Sequence, residues 1–137
     1  MGRFFYLENL AKIIAKVLFF IVFVIALRLG TDSTILPMEG VASWYYEHSP
    51  GINYVTSSKE VFDDDEMTCA TWDFPFDTML EVTNVRNGQK VLVRVNDRGP
   101  AKRLYRKGRI IDLTKAAFKQ IEDPKRGLAR VKIRVTK

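Results

Sequence analysis

The feature that most constrains this chain is a series of short segments in which apolar and polar residues alternate, separated by turn-forming residues. The two clearest segments are residues 78–85 and 89–96. In the second segment the valines fall on one face, because side chains alternate in direction along an extended strand. The Asn87-Gly88 pair between the segments favours a tight hairpin, since both residue types accept a positive φ.

Other short segments have the same character. The further candidate strands are residues 41–46, 60–62, 67–71, 110–113 and 131–135. One helix is predicted at residues 115–121, with Thr114 as its N-cap and Ala117, Phe118 and Ile121 on its inner face. Many short strands with one helix indicate a mainly β fold built as a small barrel. Periodicity alone does not say which barrel.

The N-terminal segment has a different composition from the rest of the chain. An apolar run at residues 17–27 follows two lysines, as in the core of an export signal. Counted over residues 13–29, with Lys16 snorkelling, the same segment can anchor the chain in an inner membrane. We expect residues 1–34 to be a signal peptide or membrane anchor with a short linker, and residues 38–137 to be the folded domain. A buried core helix is the alternative, which the lack of a polar face disfavours.

Length and composition exclude several classes of protein. The chain has 137 residues, which suits one domain, and a formal net charge of +6, which suits an anionic polymer. An export signal argues against nucleic acid as that polymer. A single histidine and a single cysteine exclude a multi-histidine metal site and an internal disulfide. We expect no cofactor and no metal, and we expect Cys69 to be buried and structural.

Asp97 is the acid that stands where a strand ends, in the run Asn96-Asp97-Arg98-Gly99-Pro100. Side chains at strand ends project into the loop-lined face of a barrel, where clefts form. Asp and Asn also end strands by bonding their own backbone, and the residues alone do not decide between the two roles. Glu60 and Asp63 can add a second acidic wall to the cleft, or belong to a solvated acidic turn. Asp112 precedes the helix cap, which predicts a structural carboxylate bonded to loop or helix N–H groups.

From residue 40 onward the chain resembles the rare lipoprotein A family of septal-ring lytic transglycosylases. The stretches that carry the resemblance are residues 40–45, 60–63, 74–78, 82–84, 87–88, 95–100, 108–113 and 116–117. The NDRGP run and the RIIDL run, at this spacing, are the most specific of them. The resemblance implies a six-stranded double-psi β-barrel with one or two short helices, acting on peptidoglycan glycan strands. We expect it to be a monomer, exported to the periplasm or cell envelope.

The resemblance also implies roles for single residues. Asp97 corresponds to the catalytic acid, and Glu60 and Asp63 to the acids that accompany it. We expect glycan strands to contact a further set of residues: Thr71, Trp72, Asp73, Asn96, Arg98 and Tyr45. Thr71 stands where the family has a functional histidine. Expansin-like wall-loosening proteins share the barrel and rely on an Asp without that histidine, so a non-catalytic wall-binding module is the alternative.

The implied reaction can proceed with a single acid. A lytic transglycosylase cleaves the bond between N-acetylmuramic acid and N-acetylglucosamine without water, because the muramic C6 hydroxyl is the nucleophile. One carboxyl can protonate the glycosidic oxygen and then take the proton of that hydroxyl. The acid must hold its proton near neutral pH, which requires desolvation. Arg98, beside Asp97, opposes this unless its side chain points away.

Overall fold

The computed structural model describes residues 9–10, 12–22, 37–51 and 53–136. The chain divides into two compact units, residues 1–34 and 35–137. In the first unit the described residues are helical and their side chains are exposed. Within the described part of the chain, no helix combines the length and the apolar character that crossing a membrane requires. The predicted signal or anchor segment continues through residues 23–29, which lie outside the described residues.

The second unit is a closed barrel of six strands. The strands are β1 (Met38–Tyr45), β2 (Thr68–Ala70), β3 (Met79–Asn84), β4 (Lys90–Asp97), β5 (Arg109–Thr114) and β6 (Ala129–Val135). Their order around the barrel is β1-β5-β2-β4-β3-β6, and β6 closes on β1. β1 with β5 and β2 with β4 are parallel pairs, and the other pairs are antiparallel. A mainly β fold with six barrel strands is therefore confirmed, and its topology is consistent with a double-psi barrel.

Two short helices and a 3₁₀ turn accompany the barrel. They are α1 (Lys102–Tyr105), α2 (Lys115–Ile121) and the turn Pro124–Arg126. The predicted helix at residues 115–121 is confirmed, and the Thr114 hydroxyl accepts a hydrogen bond from the Ala117 N–H at its start. Helix α1 was not predicted, because its sequence is a run of basic residues with no apolar stripe.

The barrel core follows the predicted alternation. Val91, Val93 and Val95 of β4 are buried, and so is the inner face of α2. Cys69 is fully buried on β2, which confirms its predicted position. The candidate strand at residues 60–62 is wrong, because only an isolated bridge between Val55 and Val61 forms there.

The β3–β4 hairpin forms as predicted, but its loop is longer than the two residues of a tight turn. It occupies residues 85–89, and Gly88 has a positive φ of 73° whereas Asn87 does not. The Asn84 and Asn87 side-chain oxygens accept hydrogen bonds from backbone N–H groups within this loop. These local bonds stabilise the longer connection.

Two irregularities in the strand pairing determine where the functional side chains project. Along β2 and β4 the register advances from Cys69 opposite Val95 to Ala70 opposite Asp97, so Asn96 is an extra residue. Along β1 and β5 the register skips Ile110 in the same way. A bulge of this kind reverses which face the following residues occupy. Asp97 is thereby turned away from the barrel core. In a strictly alternating strand its side chain would point into the core, as those of Val93 and Val95 do.

Candidate active site

An open groove of about 560 Å³ lies at the end of the barrel where β4 stops. The residues that line it come from β1, the loop at residues 49–59, the end of β2, residues 97–104 and β5. Two carboxyl groups, Asp97 and Asp112, are among them. The groove therefore brings together the acid predicted to be catalytic and an acid predicted to be structural.

The strand register aligns the floor of the groove. Ser43 on β1 is opposite Asp112 on β5, Asp112 is opposite Ala70 on β2, and Ala70 is opposite Asp97 on β4. We call these four residues the carboxylate row. Residues directly opposite each other in a ladder project to the same face of the sheet. The row therefore presents both carboxyl groups to the same groove, on either side of a single methyl group.

Asp97 is held by three hydrogen bonds to one oxygen. Its Oδ1 accepts from the Ser57 N–H at 2.9 Å, from the Ser57 hydroxyl at 2.6 Å and from the Arg98 N–H at 2.8 Å. The loop that carries Ser57 thus fixes the position of the Asp97 carboxylate.

Asp112 is in a different environment. Its carboxylate accepts a hydrogen bond from the buried Ser43 hydroxyl, in place of the loop or helix N–H groups that the sequence predicted. Burial raises the pKa of Asp112 above its ordinary value, the Ser43 bond and Arg109 oppose that rise, and Asp97 adds to it. The groove thus contains one carboxyl that accepts three hydrogen bonds and one that accepts a single hydrogen bond and whose burial favours its protonated form.

Tyr45 lines the same groove beside the carboxylate row. Its ring stacks on Phe62 with centroids 4.9 Å apart, and its buried hydroxyl has no hydrogen-bond partner among the described residues. Burial, with smaller contributions from Asp97, Cys69 and Asp112, raises the pKa of Tyr45. The phenol is therefore neutral, and its hydroxyl is buried beneath the groove surface.

The Arg98 side chain points away from the carboxylate of its neighbour. Its guanidinium donates to the carbonyl oxygens of Thr71 and Phe74 and lies 3.9 Å from the centroid of the Phe76 ring. Only the backbone N–H of Arg98 reaches Asp97. The guanidinium thus stabilises residues 71–76, and the predicted contact between this side chain and the glycan stays a prediction.

Glu60 lies outside the groove in an ion pair. Both its oxygens bond Arg94, at 2.7 and 2.8 Å, and Asn96 donates to the same carboxylate. The Arg94 hydrogen bond, followed by the Asn96 bond, lowers the pKa of Glu60 to about 2. A carboxyl so strongly ionised cannot supply a proton. Glu60 therefore affects the site only by anchoring the loop whose Ser57 bonds Asp97.

Several residues predicted to contact substrate are buried or used elsewhere in the fold. Thr71 is fully buried and donates to the Ile110 carbonyl, and Asn96 is buried beside Glu60. The structure does not bring either of them to the groove. Residue 71 is therefore in the core, although the family resemblance implies a functional side chain at this position.

Trp72 and Asp73 are exposed beside helix α1. The Trp72 ring N–H donates to the Pro100 carbonyl, and the Lys102 ammonium lies 3.4 Å from the centroid of its ring. Asp73 accepts a hydrogen bond from the Tyr105 hydroxyl at 2.5 Å. These two residues form a rim next to the groove instead of part of its floor.

Asp63 belongs to an exposed acidic turn. Its Oδ1 accepts from the Asp65 N–H, and the ligand atoms of Asp63, Asp64 and Asp65 lie within 4.8 Å of one another. This is the only group of potential cation ligands among the described residues. The turn does not line the groove, and solvated carboxylates of this kind are common without a metal.

A closed six-stranded barrel with an open groove that presents two carboxyl groups defines a class of small β-barrel domains with an acidic site at one end. The chain belongs to the family described as lytic transglycolase, which it matches over residues 38–133.

The chain is also similar to named relatives. It is 42% identical over 98 residues to the endolytic peptidoglycan transglycosylase RlpA of Campylobacter jejuni, covering 71% of this chain and 33% of that one. It is 43% identical over 97 residues to the RlpA of Vibrio cholerae, covering 71% and 35% respectively. The chain thus spans about a third of the length of these curated relatives.

Among solved structures, the barrel is similar to a mutant expansin of Clavibacter michiganensis in complex with cellohexaose. The TM-score is 0.55 at 20% identity, and the match covers 74% of this chain and 51% of that one. At that identity the likeness extends to the fold alone.

Proposed function

We propose that this domain is a peptidoglycan lytic transglycosylase, which cleaves the bond between N-acetylmuramic acid and N-acetylglucosamine and leaves 1,6-anhydromuramic ends. The observation that carries the proposal is the open groove with Asp97 fixed at its floor by three donors. The family and the relatives named RlpA support the same reaction class. The barrel topology supports the double-psi fold that the sequence predicts.

The reaction requires two proton transfers and a place for the sugar. The glycosidic oxygen must gain a proton as its bond to C1 breaks, and the C6 hydroxyl must lose one as it closes on C1. In its simplest form, Asp97 makes both transfers. The groove is open to solvent, which gives a glycan strand access to the carboxyl groups.

Of the other predicted acids, Glu60 supports the site from a distance. Glu60 anchors the loop at residues 56–60 through Arg94, and that loop provides both Ser57 donors to Asp97. We assign Trp72 and Asp73, exposed on the rim, to sugar contacts beyond the scissile bond. Asp63 has no place in the groove, and we assign it to the turn.

The proposed substrate also sets the location of the protein. A lytic transglycosylase must reach the cell wall, and the apolar segment behind Lys12 and Lys16 supports export to the periplasm or envelope. The segment serves either as a cleaved signal or as an inner-membrane anchor. We propose that the domain acts as a monomer, because a single groove contains both carboxyl groups.

One incubation tests the proposed reaction. Purified peptidoglycan is treated with wild type, Asp97→Asn and Asp65→Asn, and the soluble products are analysed by mass spectrometry for anhydromuropeptides. Wild type and Asp65→Asn, whose exposed carboxyl lies outside the groove, should release them, and Asp97→Asn should lose about 10² to 10⁴ in rate. Wall binding with no anhydro product from wild type would support the non-catalytic, expansin-like alternative instead. Full activity of Asp97→Asn would exclude its assigned role.

A further inference from the structure

Two carboxyl groups face the groove, from strands on either side of β2. Ala70 is the register partner of both Asp97 and Asp112. Their backbones are therefore two strand spacings apart, about 10 Å. In enzymes that cleave glycosidic bonds with two carboxyl groups, the pair flanks the scissile bond at about 5 to 9.5 Å. Side chains that reach into the groove from this row can flank a glycosidic bond in the same way.

The floor between the two carboxyl groups is kept clear by small residues. A Cβ at Gly99 would lie 3.1 Å from the Ala70 Cβ and 3.5 Å from Asp112 Oδ2. Oδ1 of Asp112 is used by the Ser43 hydroxyl, whereas Oδ2 accepts no hydrogen bond from the described residues. The absence of a side chain at residue 99 thus leaves one oxygen of Asp112 accessible from the groove.

The two carboxyl groups differ in the number of donors that hold them. Asp97 accepts from two N–H groups and one hydroxyl, and Asp112 accepts from one hydroxyl. The charged and titratable groups that face Asp112 are Arg109, Asp97 and Tyr45. Of these only Arg109 favours the anion, and burial outweighs it in raising the pKa of Asp112.

We infer that the two proton transfers are divided between these groups, with Asp112 as the acid that protonates the leaving oxygen and Asp97 as the base that accepts the C6 hydroxyl proton. The inference rests on the proposed function and assigns a second catalytic residue to the same site. Neighbouring carboxyl groups in different environments are how one site performs acid and base chemistry at one pH, and here the environments differ in the number of donors that reach each carboxyl.

The divided reaction balances. The bond between C1 of N-acetylmuramic acid and O4 of N-acetylglucosamine breaks, and O4 takes the proton of Asp112. The C6 oxygen forms a bond to C1, and its proton passes to Asp97. Asp112 ends as a carboxylate and Asp97 as an acid, and the proton returns from Asp97 to Asp112 through the open groove before the next turnover.

A change of leaving group tests the acid. Full-length wild type, Asp112→Asn and Asp97→Asn are assayed on purified peptidoglycan and on the 4-nitrophenyl β-glycoside of N-acetylmuramic acid, whose phenolate leaves without protonation. Asp112→Asn should lose about 10² to 10⁴ on peptidoglycan and less than about tenfold on the aryl glycoside, whereas Asp97→Asn should be slow on both. Equal losses of Asp112→Asn on the two substrates, or none on peptidoglycan, would overturn the assignment.

The pH profile gives a second readout that a structural role of Asp112 would not move. The Ser43 bond lowers the pKa of Asp112, so Ser43→Ala should shift the basic limb of the peptidoglycan profile to higher pH. An unshifted limb would contradict the inference, even if Asp112→Asn failed to fold. If wild type forms no anhydro ends, the proposed function itself fails. If wild type is active and Asp112→Asn is equally active, the proposed function stands and only the assignment of the acid role to Asp112 is wrong.

Discussion

At the scale of single residues, the site depends on how differently two carboxyl groups are solvated. Asp97 accepts hydrogen bonds from three donors, whereas Asp112 is partly buried with one hydroxyl partner. A group whose pKa is raised by burial destabilises the fold whenever it is ionised. The burial that raises the pKa of Asp112 should therefore reduce stability at neutral pH.

Asp112→Asn should therefore stabilise the protein at neutral pH. The folded pKa of Asp112 is raised above 3.8, so the folded state holds its proton longer than the unfolded state as pH rises. The free energy of unfolding of wild type consequently decreases as pH rises from the unfolded to the folded pKa of Asp112. The amide does not ionise, so the variant does not show this decrease. Thermal melts at pH 3 and pH 7.5 measure it, with the exposed Asp65→Asn as control. The variant should match wild type at pH 3 and melt higher at pH 7.5, and a lower melting temperature at pH 7.5 would indicate a structural role.

Thr71 allows a test of whether the histidine that the family has at this position can be accommodated in this core. Its side chain is fully buried and its hydroxyl bonds the Ile110 carbonyl. An imidazole at this position overfills the core, so Thr71→His should lower the free energy of unfolding by about 1 to 3 kcal/mol. Chemical denaturation measures the change, with Thr71→Ser as the control that keeps the hydroxyl.

Thr71→His should also bring no gain in peptidoglycan turnover, because residue 71 does not line the groove. Unchanged stability together with new activity would show that the side chain can reach the substrate.

The position of Asp97 at the end of a strand could be predicted from the sequence, but its orientation could not. The NDRGP run marks the end of the strand, yet the bulge at Asn96 appears only when β4 pairs with β2. The hydrogen-bond partner of Asp112 was mispredicted for a related reason. Its neighbour Thr114 signals a helix cap, whereas Ser43, its actual partner, is 69 residues away in sequence. Local patterns carry no information on such pairings.

At the scale of elements, a loop held by an ion pair positions Asp97. The Glu60 carboxylate bonds Arg94 on β4, the Glu60 carbonyl accepts the Thr56 N–H, and Ser57 next to it holds Asp97. The loop therefore depends on a charged contact with a central strand. From the sequence, Glu60 is only one acid among several near an acidic turn, and the contact with Arg94 becomes visible only in the folded barrel.

This ion pair should give the protein an acid-sensitive step. The folded pKa of Glu60 is about 2 against 4.5 in its ordinary state, so its contribution to stability is complete above pH 4.5 and is lost as pH falls toward 2. In thermal melts across this range, Glu60→Gln should be less stable than wild type at pH 6 and should approach it at pH 2. The exposed Glu47→Gln serves as control. A constant difference between Glu60→Gln and wild type over the whole range would contradict the linkage.

At the scale of the whole molecule, the barrel is closed by contacts between distant parts of the sequence. β1 pairs with β5 on one side and with β6 on the other, and residues 38–42 are opposite residues 129–133. The strands and the helix α2 were predicted because their patterns are local. The family resemblance implied the type of barrel, whereas the order of the strands was not predicted, since no alternation pattern encodes which strands pair.

Because the barrel is closed by its own strands, we can predict the effect of removing the N-terminal residues. Every strand and every buried core residue of the described barrel lies between residues 38 and 135. A chain that starts at Met38 should therefore be soluble and should unfold in one cooperative transition by calorimetry.

The matched control for that truncation is a chain that starts at Trp44. It lacks the part of β1 that pairs with β6, so the barrel is left open between β5 and β6 with two unpaired edges. That chain should aggregate or show no cooperative transition. If the chain starting at Met38 is insoluble while the full chain is soluble, the N-terminal segment contributes to the folded core and the proposed export role of that segment is wrong.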